Sequence, residues 1–278
     1  MTGAETAPDT AAPQKRERPV TRVTVVRTER LAEHMVRLVL AGDGLALVHP
    51  TEFTDRYIKL QFDPEVEGQR ERLRTYTVRS WDVARGEITV DFVVHGDEGL
   101  AGPWAARAQP GDEISFLGPG GAYAPAADAD WHLFIGDESA LPAIAAALEV
   151  LPAAARAKAF VEVGTTRDEI PLVTDAAPVD GDLVTWVHRD ADGAGTSHGL
   201  VDVVSSWDLP DGTPEVFLHG DAGFVRDLRR YLRLERAVPA DRMSASGYWR
   251  RGRTEETWRS EKREWNAAVE ADEAGTVA

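Results

Sequence analysis

Between Pro19 and Tyr123, apolar and polar residues alternate with a period of two, the pattern of half-buried strands. Val20–Thr28 and His34–Leu40 read as a hairpin, with Gly42 and Gly44 ending the second run. Arg56–Phe62, Arg72–Asp82, Glu87–Val94 and Glu113–Leu117 supply four further strands. A short helix is expected at Gly102–Ala108, before a turn at Gln109–Asp112, and the charged stretch Asp63–Glu71 reads as a solvated connection. Six short strands with turn punctuation and one small helix predict a closed antiparallel barrel. Gly118–Asp130, rich in Gly, Pro and Ala, reads as a linker.

After Asp130 the rhythm changes to strand–helix alternation. Trp131–Ile135, Ala159–Val163, Leu183–His188, Glu215–His219 and Arg242–Tyr248 are the expected strands. Helices are expected from the Gly136–Pro142 loop through Val150, at Leu200–Trp207 and at Ala222–Glu235. This order predicts a five-stranded parallel sheet covered by helices on both faces, with ligands at the carboxyl ends of its strands. Thr254–Glu270 reads as a surface helix pinned by Trp258 and Trp265. The organisation expected is therefore a tail over residues 1–18, a barrel over 19–125, an α/β unit over 130–253 and a C-terminal helix and tail over 254–278.

Composition narrows the function classes. The 278 residues carry a formal net charge of −16, which argues against a general nucleic-acid partner and makes any cluster of arginines informative. No apolar run approaches the ~18 residues of a membrane span, and the Ala-, Thr- and Pro-rich start has no signal-peptide core. The chain has no cysteine, which excludes disulfides, thiolate metal ligands and cysteine nucleophiles and fits a cytoplasmic protein. The histidines show no HxxxH or HxH spacing, so no metal site is expected.

Against that background Arg72-Leu-Arg-Thr-Tyr-Thr-Val-Arg-Ser-Trp-Asp82 stands out. Arg74 offers a planar fork for phosphate, Tyr76 a flat ring and Thr77 a short hydroxyl with its backbone N–H. Together they suit a ligand that is part phosphate, part flat heterocycle and part hydrogen-bonding edge, such as a flavin dinucleotide. Gly136-Asp-Glu-Ser-Ala-Leu-Pro142 ends the first parallel strand and is either an anion-binding helix start or an ordinary capped one. His219-Gly-Asp-Ala-Gly223 repeats that layout, and His95-Gly-Asp-Glu-Gly-Leu-Ala-Gly102 is a pyrophosphate loop or a glycine-rich turn. Gly247-Tyr-Trp-Arg-Arg-Gly-Arg253 is the dense basic and aromatic run, placed where it either recognises anions or is solvated. Lys59 is a further candidate for the same cleft, and Arg189 either meets a cofactor phosphate or is exposed.

Arg-x-Tyr-Thr-x-Arg, His-Gly-Asp-Glu-Gly, Gly-Asp-Glu-Ser-Ala-Leu-Pro and Gly-Tyr-Trp-Arg-Arg-Gly, in that order over residues 19 to 266, resemble the siderophore-interacting proteins. These are flavin-dependent ferric-siderophore reductases of the ferredoxin-reductase-like superfamily. The resemblance implies an FAD-binding barrel and an NAD(P)H-binding α/β unit, with NADPH the favoured donor. It implies cofactor contacts from Arg74, Tyr76, Thr77, Val78 and Arg79, and from His95, Gly99, Leu100, Ala101 and Gly102. Tyr76 and Thr77 would sit at the reacting ring. The nicotinamide nucleotide would meet Gly136, Asp137, Glu138, Ser139, Ala140 and Leu141, and Gly220, Asp221, Ala222 and Gly223. Lys59, Tyr248, Trp249, Arg250 and Arg251 would face an anionic ferric siderophore, whose iron leaves as Fe(II). Many members carry Ser where Gly102 stands, so only backbone donors remain there. A flavin reductase serving an oxygenase or free flavin, and a non-redox ferric-siderophore-binding protein, are the competing readings.

Overall fold

A computed structural model describes residues 19–62, 72–96, 99–189 and 198–274. The expected N-terminal tail, the connection 63–71 and Asp97 and Glu98 of the glycine-rich loop lie outside them.

The first alternating run becomes strand β1 (Val20–Ala32), which buries Val23 and Val25 and pairs antiparallel with β2 (Met35–Ala41). With β3 (Tyr57–Phe62), β4 (Arg72–Asp82), β5 (Glu87–Val93) and β6 (Glu113–Gly120) it forms a closed barrel in the order β1-β2-β5-β4-β3-β6. Closure leaves no strand edge unpaired. Leu38, Leu40, Ile58, Leu60, Val78, Phe92 and Phe116 fill the interior. Helix α1 (Ala101–Arg107) packs on β5, and a Cβ at Gly102 would stand 3.2 Å from the Val93 carbonyl oxygen. Gly102 thus serves a close helix–strand approach.

The second half runs β7 (Trp131–Asp137), α2 (Leu141–Val150), β8 (Arg156–Val163), the two-residue β9 (Ala177–Pro178), β10 (Val184–His188), α3 (His198–Ser206), β11 (Pro214–Asp221), α4 (Ala222–Arg230) and β12 (Met243–Trp249). The main strands are parallel in the order β10-β8-β7-β11-β12, with β9 on β8. β7 and β11 are buried along their whole lengths, so their sequences read as continuous apolar runs. The chain leaves β7 toward β8 and returns on the other side as β11. The carboxyl ends of β7 and β11 therefore flank the point where strand order reverses, the usual ligand crevice of such sheets.

The expected barrel and parallel sheet are both present, with local differences. β6 extends to Gly120, because Tyr57 pairs with Gly120, and so takes in the start of the expected linker. The rest of that segment is docked. Asp55 accepts the Ala122 and Tyr123 N–H groups at 2.8 and 2.9 Å, and Thr54 N–H donates to the Tyr123 carbonyl at 2.8 Å. The buried Tyr123 ring lies 4.9 Å from that of Phe217. The helix expected through Glu235 ends as α4 at Arg230 and passes into a π-helical turn, Tyr231–Glu235. Helix α5 (Glu255–Ala274) is held by Trp258 and Trp265, with ring centroids 5.5 Å apart. Among the described residues, no helix is long and apolar enough to cross a membrane.

The β1–β2 turn grips the sheet. His34 N–H donates to Asp168 Oδ1 at 3.0 Å, the His34 Nδ1 lies 2.9 Å from the same oxygen, and Glu33 pairs with Arg167. Asp168 is buried and also accepts from Thr165 N–H and Oγ1–H.

Tyr123 carries a buried hydroxyl with no partner among the described residues. Tyr123→Ala is expected to lower unfolding free energy by about 3–5 kcal/mol. Tyr123→Phe, which removes only that hydroxyl, is expected to be neutral or stabilising in the same urea denaturation experiment.

Candidate cofactor cleft

A cleft of about 1090 Å³ opens between the barrel wall, the carboxyl ends of the parallel strands and the first turns of α5. That exceeds the ~300–1,000 Å³ of ordinary small-molecule pockets and gives room for a dinucleotide.

On the barrel side, the antiparallel register pairs Tyr57 with Thr77 and Lys59 with Thr75, which puts all four on one face. Arg74, Tyr76 and Thr77 all line the cleft, as do Lys59 and His95. The half-buried Tyr76 ring rests on Phe92 with centroids 4.4 Å apart, and burial raises its hydroxyl above the ordinary phenol range. Arg74 Nη2 donates to Glu256 Oε1 at 2.7 Å, so its guanidinium already faces an anion. The other members of the expected flavin motif are elsewhere. Val78 is fully buried in the barrel, and Arg79 reaches out to Glu149 on α2, donating from Nη1 at 2.8 Å. Val78 sits in regular register opposite Val90, whereas Arg79 is the extra residue at a register shift between Val78 and Ser80 that interrupts the alternation. Gly99, Leu100, Ala101 and Gly102 do not line the cleft; Gly99 takes the left-handed backbone (φ 84°), and Ala101 belongs to the barrel core.

On the sheet side, the central residue is Asp137. Its fully buried carboxylate accepts Ser139 N–H and Oγ–H at 2.9 and 2.5 Å on Oδ1, and Asp221 N–H and Trp249 Nε1–H at 2.8 Å on Oδ2. Burial and the neighbouring Glu138 push its pKa up to about 6. Asp221 in turn accepts Gly223 N–H at 2.8 Å and Arg251 N–H at 2.9 Å. The N–H groups expected to meet a pyrophosphate at Ser139, Asp221 and Gly223 thus already serve carboxylates. The loop glycines serve packing: a Cβ at Gly136 would lie 2.7 Å from the Ala140 Cβ, and one at Gly220 2.6 Å from Asp137 Oδ2. Asp137, Glu138 and Ser139 line the cleft. Gly136, Ala140 and Leu141 do not, and neither do Gly220, Asp221, Ala222 and Gly223.

Arg189 is not the exposed residue that was one of its expected states. It bridges Glu138, accepted on both carboxylate oxygens, and Glu162 at 3.1 Å, and all three side chains are mostly buried. Burial lifts Glu162 to about 7, and its Oε2 has no partner among the described residues. His219, stacked on Phe217 at 3.9 Å with Ser244 Oγ 2.9 Å from Nε2, is held neutral by burial, which lowers its pKa to about 3.

Of the terminal basic run, Tyr248, Trp249 and Arg251 line the cleft. Arg250 does not; with Arg253 it faces Glu261 on α5, at 3.5 and 3.0 Å. Sequence reasoning missed Asp55, His219 and the α5 residues Glu255, Trp258, Arg259 and Lys262. The last four stand at i, i+3, i+4 and i+7, a helical face legible in the sequence once the helix is known to border a ligand.

The barrel wall fits a flavin dinucleotide in kind: a half-exposed ring for stacking, a cleft-facing arginine already holding a carboxylate, and a hydroxyl beside them. Comparison with known proteins decides the family. The profile "Siderophore-interacting FAD-binding domain" matches residues 64–123, and the profile "Siderophore-interacting protein" matches residues 129–252. The ferric vibriobactin reductase ViuB of Vibrio cholerae is 31% identical, over 85% of this chain and 92% of its own. The chain belongs to the siderophore-interacting protein family. An uncharacterized protein of Mycobacterium tuberculosis is 47% identical over 93% of this chain and 99% of its own. Among solved structures, a siderophore utilization protein from T. fusca superposes with a TM-score of 0.74 at 34% identity, covering 85% of this chain and 94% of that one. The segment matched by the FAD-binding profile contains Arg74, Tyr76, Thr77 and His95 of this family member's cleft.

The raised carboxyls make a pH prediction. Their neutral forms favour the fold, so stability falls as pH climbs from 3.8 to about 6 for Asp137 and from 4.5 to about 7 for Glu162. Glu162→Gln keeps an oxygen for Arg189 and removes the second ionisation. Urea midpoints are expected to show the variant gaining on wild type as pH rises from about 5 to about 7.5, with the gap flat at higher pH.

Proposed function

We propose that this protein is an NAD(P)H-dependent, FAD-containing oxidoreductase that reduces the iron of ferric siderophores. The observation that carries the reading is the grouping of Arg74, Tyr76 and Thr77 on a cleft large enough for a dinucleotide, in a chain of the siderophore-interacting family. Support also comes from the relative named as a ferric vibriobactin reductase. Residues 19–125 form the flavin half in this proposal and residues 130–253 the nicotinamide half. A cysteine-free chain fits the reducing cytoplasm as the place of action.

Arg74 would hold a phosphate oxygen, exchanging the Glu256 carboxylate for it. Tyr76, braced from behind by Phe92, would support the ring, and Thr77 would offer its hydroxyl and N–H to the ring edge. Bound there, FAD would supply hydride acceptance from NAD(P)H and one-electron transfer to Fe(III), which no side chain offers. Glu138, Ser139 and Arg189 border the side on which the nicotinamide nucleotide would enter. Lys59, Tyr248, Trp249 and Arg251 border the space for the ferric chelate. The softer Fe(II) is held less well by hard oxygen ligands and leaves the chelate.

A visible spectrum of the purified protein tests the class directly. Flavin bands, bleached by NADPH or NADH and restored by a ferric siderophore without oxygen, are the expected result. Bands that bleach and are restored by no ferric chelate overturn the substrate, and a protein that takes up no flavin overturns the whole reading. Tyr76→Ala is expected to weaken FAD binding about 5- to 100-fold in a flavin fluorescence titration, the range for loss of one stacking aromatic.

A further inference from the structure

Arg74 lines the cleft on the barrel side, yet its Nη2–H donates at 2.7 Å to Glu256, which is not part of that lining. The two partners differ in exposure: the Arg74 side chain is 13% exposed and the Glu256 side chain 57%. Separating them returns the carboxylate to water at little cost, whereas the arginine stays behind with an unpaired, mostly buried charge. A fork so placed exchanges one anion for another more readily than it stands alone. We infer that Glu256 is an internal competitor of the cofactor: its carboxylate contends with an FAD phosphate for Arg74 and holds flavin affinity below what the fork alone would give. The inference rests on the proposed flavin reading and adds to it a residue, outside every motif, that sets how tightly the cofactor is held.

Local structure sets up the contest. Arg74 Nη1–H donates to the Leu73 carbonyl at 3.1 Å, which keeps the fork on its own strand. Glu256 stands in the first turn of α5, where free backbone N–H groups favour a carboxylate. Thr254 opens that turn, accepting the Thr257 N–H on Oγ1 at 3.3 Å and the Trp258 N–H on its carbonyl at 2.9 Å. Trp258 is buried and donates Nε1–H to the Tyr248 carbonyl at 3.0 Å, so the turn is anchored to β12. The helix backbone can therefore stay in place, and the exchange needs only a rotation of the Glu256 side chain. Partial burial works to raise the Glu256 pKa, but its backbone N–H, Arg74 and the charge of Arg259 outweigh it, and the pKa is lowered. Glu256 thus competes as a full anion at neutral pH. A carboxylate that merely aimed Arg74 at the cofactor would act with the opposite sign, because its removal would leave the fork less ordered.

Flavin fluorescence titration of the full chain, stripped of any bound flavin, reads the contest apart from turnover. Glu256→Gln keeps the length of the side chain and removes its charge. It is expected to bind FAD about two- to fivefold more tightly than wild type, the worth of one exposed ion pair. The gain is expected to shrink toward nothing in about 1 M NaCl, where exposed charges are screened within about 3 Å. Arg74→Gln is expected to weaken FAD binding, and adding Glu256→Gln to it is expected to change nothing further, because the contested group is gone. Glu264→Gln, exposed and farther along α5, makes the same change of net charge and is expected to match wild type. Glu256→Gln binding FAD no better than wild type overturns the inference and leaves the flavin reading intact. So does a gain that survives high salt, persists without Arg74 or is shared by Glu264→Gln. A wild-type chain that takes up no FAD overturns that reading and the inference with it.

Discussion

A single buried carboxylate, Asp137, ties together the carboxyl ends of β7, β11 and β12. Isolated in an apolar interior such a charge is costly; here donors from Ser139, Asp221 and Trp249 surround it. The register helps, since Asp137 pairs across to Glu162 on one side while Asp221 stands opposite Trp249 on the other. The topological crevice of the sheet is therefore closed at its root by a polar knot, and what remains open is the space above it, between that knot and the barrel. Trp249 is held by this side chain, and the start of the Arg250–Arg253 turn by Asp221, which accepts the Arg251 N–H.

The cleft is electrically divided. Along the sheet side, Glu138 and Glu162 share Arg189 while Asp137 is held by neutral donors, leaving an acidic balance with raised pKa values at Asp137 and Glu162. Toward α5 the balance is positive, with Lys59, Arg259 and Lys262 against Glu255. Two ligands of different charge distribution can occupy such a space without competing for the same walls. A protein whose surface charge is strongly negative overall can still hold an anion locally, because close charges in a partly desolvated cleft outweigh screened distant ones.

The architecture was legible in the sequence because both halves rest on periodicity. Alternation gave the barrel strands, and the apolar runs Trp131–Ile135 and Glu215–His219 gave the buried parallel ones. Arg74, Tyr76 and Thr77 were legible as well, since adjacent residues of a strand end need no tertiary information to be grouped. Three things were not. The register shift at Val78–Ser80, which takes Arg79 away from the cleft, depends on pairing with β5. The roles of Gly136 and Gly220 depend on what lies across from them: a glycine spared for a ligand and one spared for a neighbouring strand look identical in sequence. The cleft face of α5 was hidden because a charged, periodic helix reads as a solvated surface until its neighbours are known.

Several contacts that join the barrel to the rest of the chain run through residues of the proposed flavin motif itself. Arg74 reaches Glu256 on α5, Arg79 reaches Glu149 on α2, and the β1–β2 turn is fastened through His34 to Asp168. These pairs act as girders between the two halves. In the proposed reductase, loss of activity on replacing Arg79 would therefore report a shift of one half against the other, and a flavin still bound but misaligned would be its signature. A motif arginine can matter to an enzyme by keeping two rooms of the same house square, without ever touching the guest.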